Sequence, residues 1–106
     1  MTEVCRYDRV QPERGVAALL PDGRQVAVFR TYDGTVYALG NVDPFSGAAV
    51  LSRGIVGDRG GVPIVVSPVY KQAFDLRTGA CLDDPAVSVP AYPVSVSGGV
   101  IRVGSP

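Results

Sequence analysis

The chain has 106 residues, 46% of them hydrophobic and 19% charged, with ten basic against ten acidic side chains and a formal net charge of zero. One domain of this size buries about 60–70% of the surface its unfolded form exposes, enough for a core without disulfide or metal staples, and its neutrality speaks against a nucleic-acid or anionic-membrane binder, which carries basic stripes or patches. Histidine is absent altogether, which removes Ser-His-Asp and Cys-His nucleophile systems, imidazole acid–base catalysis and imidazole metal ligation together.

Met1–Asp8 has no basic segment followed by an apolar run, so no secretion signal is expected. No apolar run approaches the ~18–20 residues of a membrane span. The two cysteines, Cys5 and Cys81, form no CxxC pair, and two thiolates cannot complete a four-thiolate zinc or iron–sulfur site. A single Cys5–Cys81 disulfide stays open, but the expected setting is the cytoplasm, with both thiols reduced.

Thirteen glycines and nine prolines leave little room for helical periodicity and predict an all-β chain. Pro21-Asp22-Gly23 marks a hairpin between Val16–Leu20 and Gln25–Arg30, and Asp33-Gly34 a second one before Thr35–Leu39. Val26-Ala27-Val28-Phe29 is apolar on both faces and reads as a central strand. From Gly40 to Gly61 the sequence is loop-rich. Within it, Gly54-Ile55-Val56-Gly57-Asp58-Arg59-Gly60-Gly61 superficially resembles a phosphate loop, but a strand pattern, Val62–Val66, follows where a helix N-terminus is required. A turn-rich connection is the reading adopted.

A second loop, Ser67–Gln72, precedes a short strand at Phe74–Leu76 and the turn Arg77-Thr78-Gly79. Asp83-Asp84 reads as a solvated turn before Pro85, because adjacency does not give a carboxylate pair the separation across a cleft that hydrolysis needs. Tyr92, Val94 and Val96 alternate with Pro93, Ser95 and Ser97, predicting a strand with one wet face that sits at an edge or strand start, and Ser97-Gly98-Gly99 turns it into Val100–Val103. No repeat or linker divides the chain. The expected organisation is one domain over 1–106, with a framework from 1–40 and 82–106 and a small loop-rich subdomain inserted at about 41–81.

No residue in this list makes an enzyme alone. Ser46, Ser52 and Ser67 have no histidine to deprotonate them, and Lys71, the single lysine, reads as a surface or contact residue beside Tyr70.

Taken together, Asn41-Val42-Asp43 and Ser67-Pro68-Val69-Tyr70, followed by Phe74-Asp75-Leu76-Arg77-Thr78-Gly79, resemble a Rieske-type domain. Such a domain presents Cys-x-His in one loop, Cys-Pro-x-His in a second, and then a Phe-Asp-x-x-Thr-Gly hairpin. The resemblance implies a Rieske-like antiparallel β-sandwich or barrel whose four ligand positions hold Asn41, Asp43, Ser67 and Tyr70. A Rieske cluster needs two thiolates and two imidazoles. An amide, a carboxylate, a hydroxyl and a phenol are the wrong donors for sulfide-bridged iron, so no [2Fe–2S] cluster is expected. A weak hard-ion site at Asp43 stays open.

Asn41-Val42-Asp43-Pro44-Phe45, Val50-Leu51-Ser52-Arg53-Gly54, Ser67-Pro68-Val69-Tyr70-Lys71-Gln72-Ala73-Phe74 and Gly79-Ala80-Cys81 together resemble the small-subunit family of NADH-dependent assimilatory nitrite reductases. Nearly the whole chain is accounted for by that resemblance. It implies a non-catalytic, cofactor-free cytoplasmic subunit in nitrate assimilation. Its partner would be a large catalytic subunit carrying FAD, sirohaem and an iron–sulfur cluster, which reduces nitrite to ammonium with electrons from NADH or NADPH. Neither nucleic acid nor membrane is expected as a partner.

In that setting Asn41, Asp43, Ser67 and Tyr70 are expected to tie the two loops together by hydrogen bonds. Phe45, Arg53, Tyr70 and Lys71 are the candidate partner contacts, since aromatic residues and arginine are enriched at interface hot spots. Two alternatives remain at this point: a free-standing binding module on a Rieske scaffold, and a Rieske-type electron carrier.

Overall fold

Val26-Ala27-Val28-Phe29 presents no polar side chain on either face, and the fold supplies a core on both. In the computed structural model, which describes all residues from Met1 to Pro106, ten strands follow one another. They are β1 (Thr2–Arg6), β2 (Arg14–Leu19), β3 (Gln25–Arg30), β4 (Val36–Gly40), β5 (Ile55–Arg59), β6 (Val62–Val66), β7 (Ala73–Asp75), β8 (Ala91–Tyr92), β9 (Val94–Ser97) and β10 (Val100–Val103). Short 3-10 turns occupy Tyr7–Arg9 and Leu51–Arg53. Every pairing is antiparallel, and the sheets run β1-β10-β9, β2-β3-β4-β8 and β5-β6-β7. The all-β, antiparallel expectation holds.

The four-stranded sheet lies between two cores, and the period-two alternation of β3 divides its side chains between them. Val26 and Val28 pack with Val10, Leu20, Ala38, Tyr92, Ile101 and Val103 on the side of the β1-β10-β9 sheet. Ala27 and Phe29 pack with Leu39, Leu51, Val56, Val65, Phe74, Leu76, Cys81 and Val89 on the side of the β5-β6-β7 sheet. Full burial of side chains such as Phe29, Phe74, Leu39 and Leu51 stabilises the fold by about 1.5–3 kcal/mol each. Cys81 belongs to one core and Cys5 packs against the other, so the sheet separates them and both are free thiols. The open question of a Cys5–Cys81 disulfide is thereby closed.

The first two predicted hairpins form as expected, with Ala18 opposite Val26 in one and Phe29 opposite Tyr37 in the other. Two local expectations are corrected. Ile55–Arg59 is a strand, and only Gly60-Gly61 is turn; Val56 enters the core, and β5 pairs with β6 along its whole length. Gly57 and Asp58 are poor strand formers, and with Gly54 and Gly60-Gly61 on either side they hide the Ile55-Val56 start of the strand in the sequence.

The segment Tyr92–Val96 is not one strand. Proline has no N–H to give a ladder, and at Pro93 the chain leaves β4, where Ala91 and Tyr92 pair, and joins β10, where Val94–Ser97 pair. Tyr92 is therefore buried while Val96 is 46% exposed, and the anticipated common face does not persist. No helix is long and apolar enough to cross a membrane.

Candidate functional site

Four polar or charged residues are buried in this chain: Asn41, Asp43, Ser67 and Asp75. Three of them occupy the positions at which the two-loop frame would carry cluster ligands. A buried polar side chain without partners is costly, and each of the three is partnered within the protein.

Asn41 ends the first loop's approach from β4. Its Nδ2 donates to Gln25 Oε1 at 3.1 Å, and its Oδ1 accepts the Ser52 N–H at 2.8 Å. The Leu51 N–H donates to the Asn41 carbonyl at 3.0 Å. The amide thus ties β3 and the Leu51–Arg53 turn to the loop. Asp43 Oδ1 accepts the Phe45 N–H at 2.8 Å, a local turn of the kind aspartate favours. Its other oxygen, Oδ2, accepts the buried hydroxyl of Ser67 from the second loop. This hydrogen bond joins residues 24 apart in sequence and ties the first loop to the second.

The second loop is shaped by its own backbone. The Ser67 N–H donates to the Gln72 carbonyl at 2.9 Å and the Lys71 N–H to the Ser67 carbonyl at 3.1 Å. That closure holds Lys71 at φ 65°, in the left-handed region, with Nζ donating to the Pro68 carbonyl at 2.9 Å. Beside it, Gly54 has Val66 O and Val65 Cγ2 within 2.6 Å of where a Cβ would stand, so glycine lets the Leu51–Arg53 turn press on β6.

Tyr70 departs from the expected role. It is 58% exposed, and its hydroxyl makes no hydrogen bond to the other loop. Phe45 is half-buried, its ring centroid 6.3 Å from that of Phe74, so it supports the loop from within. Arg53 and Lys71 are exposed and enter no ion pair, whereas Arg6, Arg24, Arg59, Arg77 and Arg102 all do. Sequence reasoning missed Val42 and Val69, which are 48% and 42% exposed and flank Asp43 and Ser67. An apolar residue inside a buried-looking motif carries no signal of its exposure.

The other polar groups are structural. Asp83 Oδ2 accepts the Ala73 N–H at 2.8 Å and Oδ1 accepts from Arg59 at 3.1 Å, which holds its carboxyl below the ordinary aspartate range. Asp84 accepts the Ala86 N–H in a separate local turn. Asp58 caps the Gly60-Gly61 turn through the Gly61 N–H at 3.2 Å, so the glycine-rich stretch closes a hairpin. Ser46 accepts the Ala48 N–H, and Ser52 takes part through its backbone.

The donor set does not fit an iron–sulfur cluster. Asn41, Asp43 and Ser67 already spend their side-chain polar atoms on protein partners, Tyr70 stands in solvent, and none of the four is a thiolate or imidazole. No three His, Cys, Asp or Glu side chains gather elsewhere in the chain.

Comparison with known proteins is consistent with this geometry. A family model described as a Rieske-like [2Fe-2S] domain matches residues 1–104. The Escherichia coli K12 nitrite reductase (NADH) small subunit is 43% identical over 102 residues, covering 95% of this chain and 94% of that protein. The chain belongs to the nitrite reductase small-subunit family. The crystal structure of a proposed NADH-dependent nitrite reductase small subunit from Mycobacterium tuberculosis superposes with a TM-score of 0.93 at 64% identity, over 96% of this chain and 91% of that one. A protein named nitrite reductase [NAD(P)H] large subunit, from Klebsiella oxytoca, is 47% identical over 102 residues; the match takes in 96% of this chain but spans only 10% of that protein. The small-subunit module is thus found both as a separate chain and as part of a longer polypeptide.

Proposed function

We propose that the chain is the non-catalytic small subunit of a cytoplasmic NAD(P)H-dependent nitrite reductase. It docks on and supports a large subunit that holds FAD, sirohaem and an iron–sulfur cluster and reduces nitrite to ammonium for nitrate assimilation. Oxidoreductase activity belongs to the assembly, with no independent reaction from this chain. The observation that carries the reading is end-to-end similarity to small subunits, combined with a loop pair closed by Asp43 and Ser67 in place of ligands.

The role follows from the chemistry of the two loops. A Rieske carrier needs a redox centre at the loop tips, and here that position holds a serine–aspartate hydrogen bond. What the frame retains is a rigid, presented surface, and residues about 41–81 are the unit that presents it. The test is NADH-dependent nitrite consumption by the purified large subunit with and without this chain. Higher turnover, or a longer active half-life at assay temperature, is expected when the chain is present. Equal turnover and equal half-life without it contradict the reading.

A further inference from the structure

Val42, Val69 and Tyr70 are exposed apolar side chains on the two loops that the Asp43–Ser67 hydrogen bond holds together. Pro44 and Pro68, also exposed, lie beside them in the chain. Arg53 follows Ser52, whose N–H is bonded to Asn41, so its backbone is anchored to the first loop; Lys71 follows Tyr70 in the second. The other exposed large apolar side chains are spread singly over separate elements: Met1 before β1, Leu19 at the end of β2, Tyr32 in the β3–β4 turn, Ile55 at the start of β5, Leu82 after β7 and Val96 in β9.

We propose that this loop end, with Val42, Val69 and Tyr70 at its centre and Arg53 and Lys71 at its margin, is the surface that docks on the large nitrite reductase subunit. The matching surface is an apolar patch bordered by carboxylates. The proposal rests on the small-subunit reading and adds the face and its chemistry.

Charge argues for that partner chemistry. Five ion pairs engage arginines elsewhere in the chain, while Arg53 and Lys71 enter none; the other arginines without an ion pair, Arg9, Arg14 and Arg30, belong to the β1–β3 part of the chain and not to the two loops. The carboxylate of this region, Asp43, is buried and taken up by the Ser67 hydroxyl and the Phe45 N–H. The loop end therefore shows apolar area with uncompensated positive charge, which an acidic rim complements. Order argues for binding as well. The backbone bonds around Ser67 and the turn at Asp43 fix both loops before contact, so little conformational entropy is lost on docking. The Klebsiella protein, with the same module inside a large-subunit polypeptide, identifies the occupant as the large subunit in preference to a second copy of this chain.

The test is the affinity of the complete chain for the purified large subunit, by calorimetry or interferometry, for wild type, Tyr70→Ala, Lys71→Glu and the control Tyr32→Ala. All three side chains are exposed, so unchanged thermal midpoints show that the folds are comparable. Tyr70→Ala and Lys71→Glu are expected to weaken binding by about tenfold or more, the effect of losing an interface anchor, and Tyr32→Ala to leave it unchanged. The loss from Lys71→Glu is expected to shrink as salt is raised. Wild-type affinity in both loop variants, or weakening only in Tyr32→Ala, overturns the proposed face while leaving the subunit reading intact. Failure of the wild type to bind overturns the subunit reading itself.

Discussion

Asp43 and Ser67 divide what a cluster would have done mechanically into one charged hydrogen bond. Ser67→Ala leaves a buried carboxylate oxygen without its donor, and a hydrogen bond to a charged group is worth about 1.5–3 kcal/mol. For a domain of this size that lowers the thermal midpoint by on the order of 10 °C, measurable by calorimetry. Tyr70→Phe removes a hydroxyl that ties nothing down and is expected to leave the midpoint within experimental error. Gly79 makes a different residue-scale point. At φ 80°, with the Val89 carbonyl oxygen 2.0 Å from where a Cβ would stand, Gly79→Ala forces backbone movement and is expected to cost about 1–3 kcal/mol or more.

At this scale the sequence was informative about which residues occupy the ligand positions and poor on where their bonds go. Asn41 was expected to span the loops and instead reaches Gln25 and Ser52. Side-chain amides choose among nearby partners that only the assembled backbone brings into range. The exposure of Tyr70 had the same cause, since the tight Ser67–Gln72 closure sets where the loop's middle residues stand.

The hairpin after the second loop shows how an element holds its neighbour. Phe74, on β7, is buried in the core with the Phe45 ring packed against it, while Asp75 turns the chain by accepting the Arg77 N–H at 2.8 Å and pairing with the Arg77 guanidinium. Phe74→Ala removes the ring on which the first loop rests and is expected to destabilise by about 3–5 kcal/mol in chemical denaturation.

The Arg77 hydrogen bonds hold the Asp75 carboxyl below its ordinary value. A depressed folded value means that the stabilisation is present above the unfolded carboxyl value, about 3.9, and is lost as pH falls through the folded one. Thermal midpoints should therefore fall below about pH 4. Asp75→Asn should lower the neutral-pH midpoint and flatten that acid limb; an unchanged limb contradicts the assignment. Strand identity was legible wherever apolar runs were bounded by Asp-Gly or Pro-Asp-Gly. It was not legible at Ile55–Arg59, where glycines on both sides resemble a loop, nor at Pro93, where a single alternating run is shared between two sheets.

Across the whole molecule, a middle sheet with cores on both faces anchors the strands from which the loop pair extends. The doubly apolar run Val26–Phe29 announced such a layer, but which strands cover each face depends on long-range pairing, such as β1 with β10, that local pattern does not encode. The absence of histidine, first a filter against whole reaction classes, finds its structural counterpart in a ligand frame occupied by Asn41, Asp43 and Ser67. The proposed role needs from this fold a fixed docking surface and no redox centre of its own. The most direct test is native mass spectrometry of this chain mixed with the purified nitrite reductase large subunit. The account predicts a complex of the two chains from which the small chain is released at its bare polypeptide mass. Failure to associate, or a small chain carrying the added mass of iron and sulfide, contradicts it.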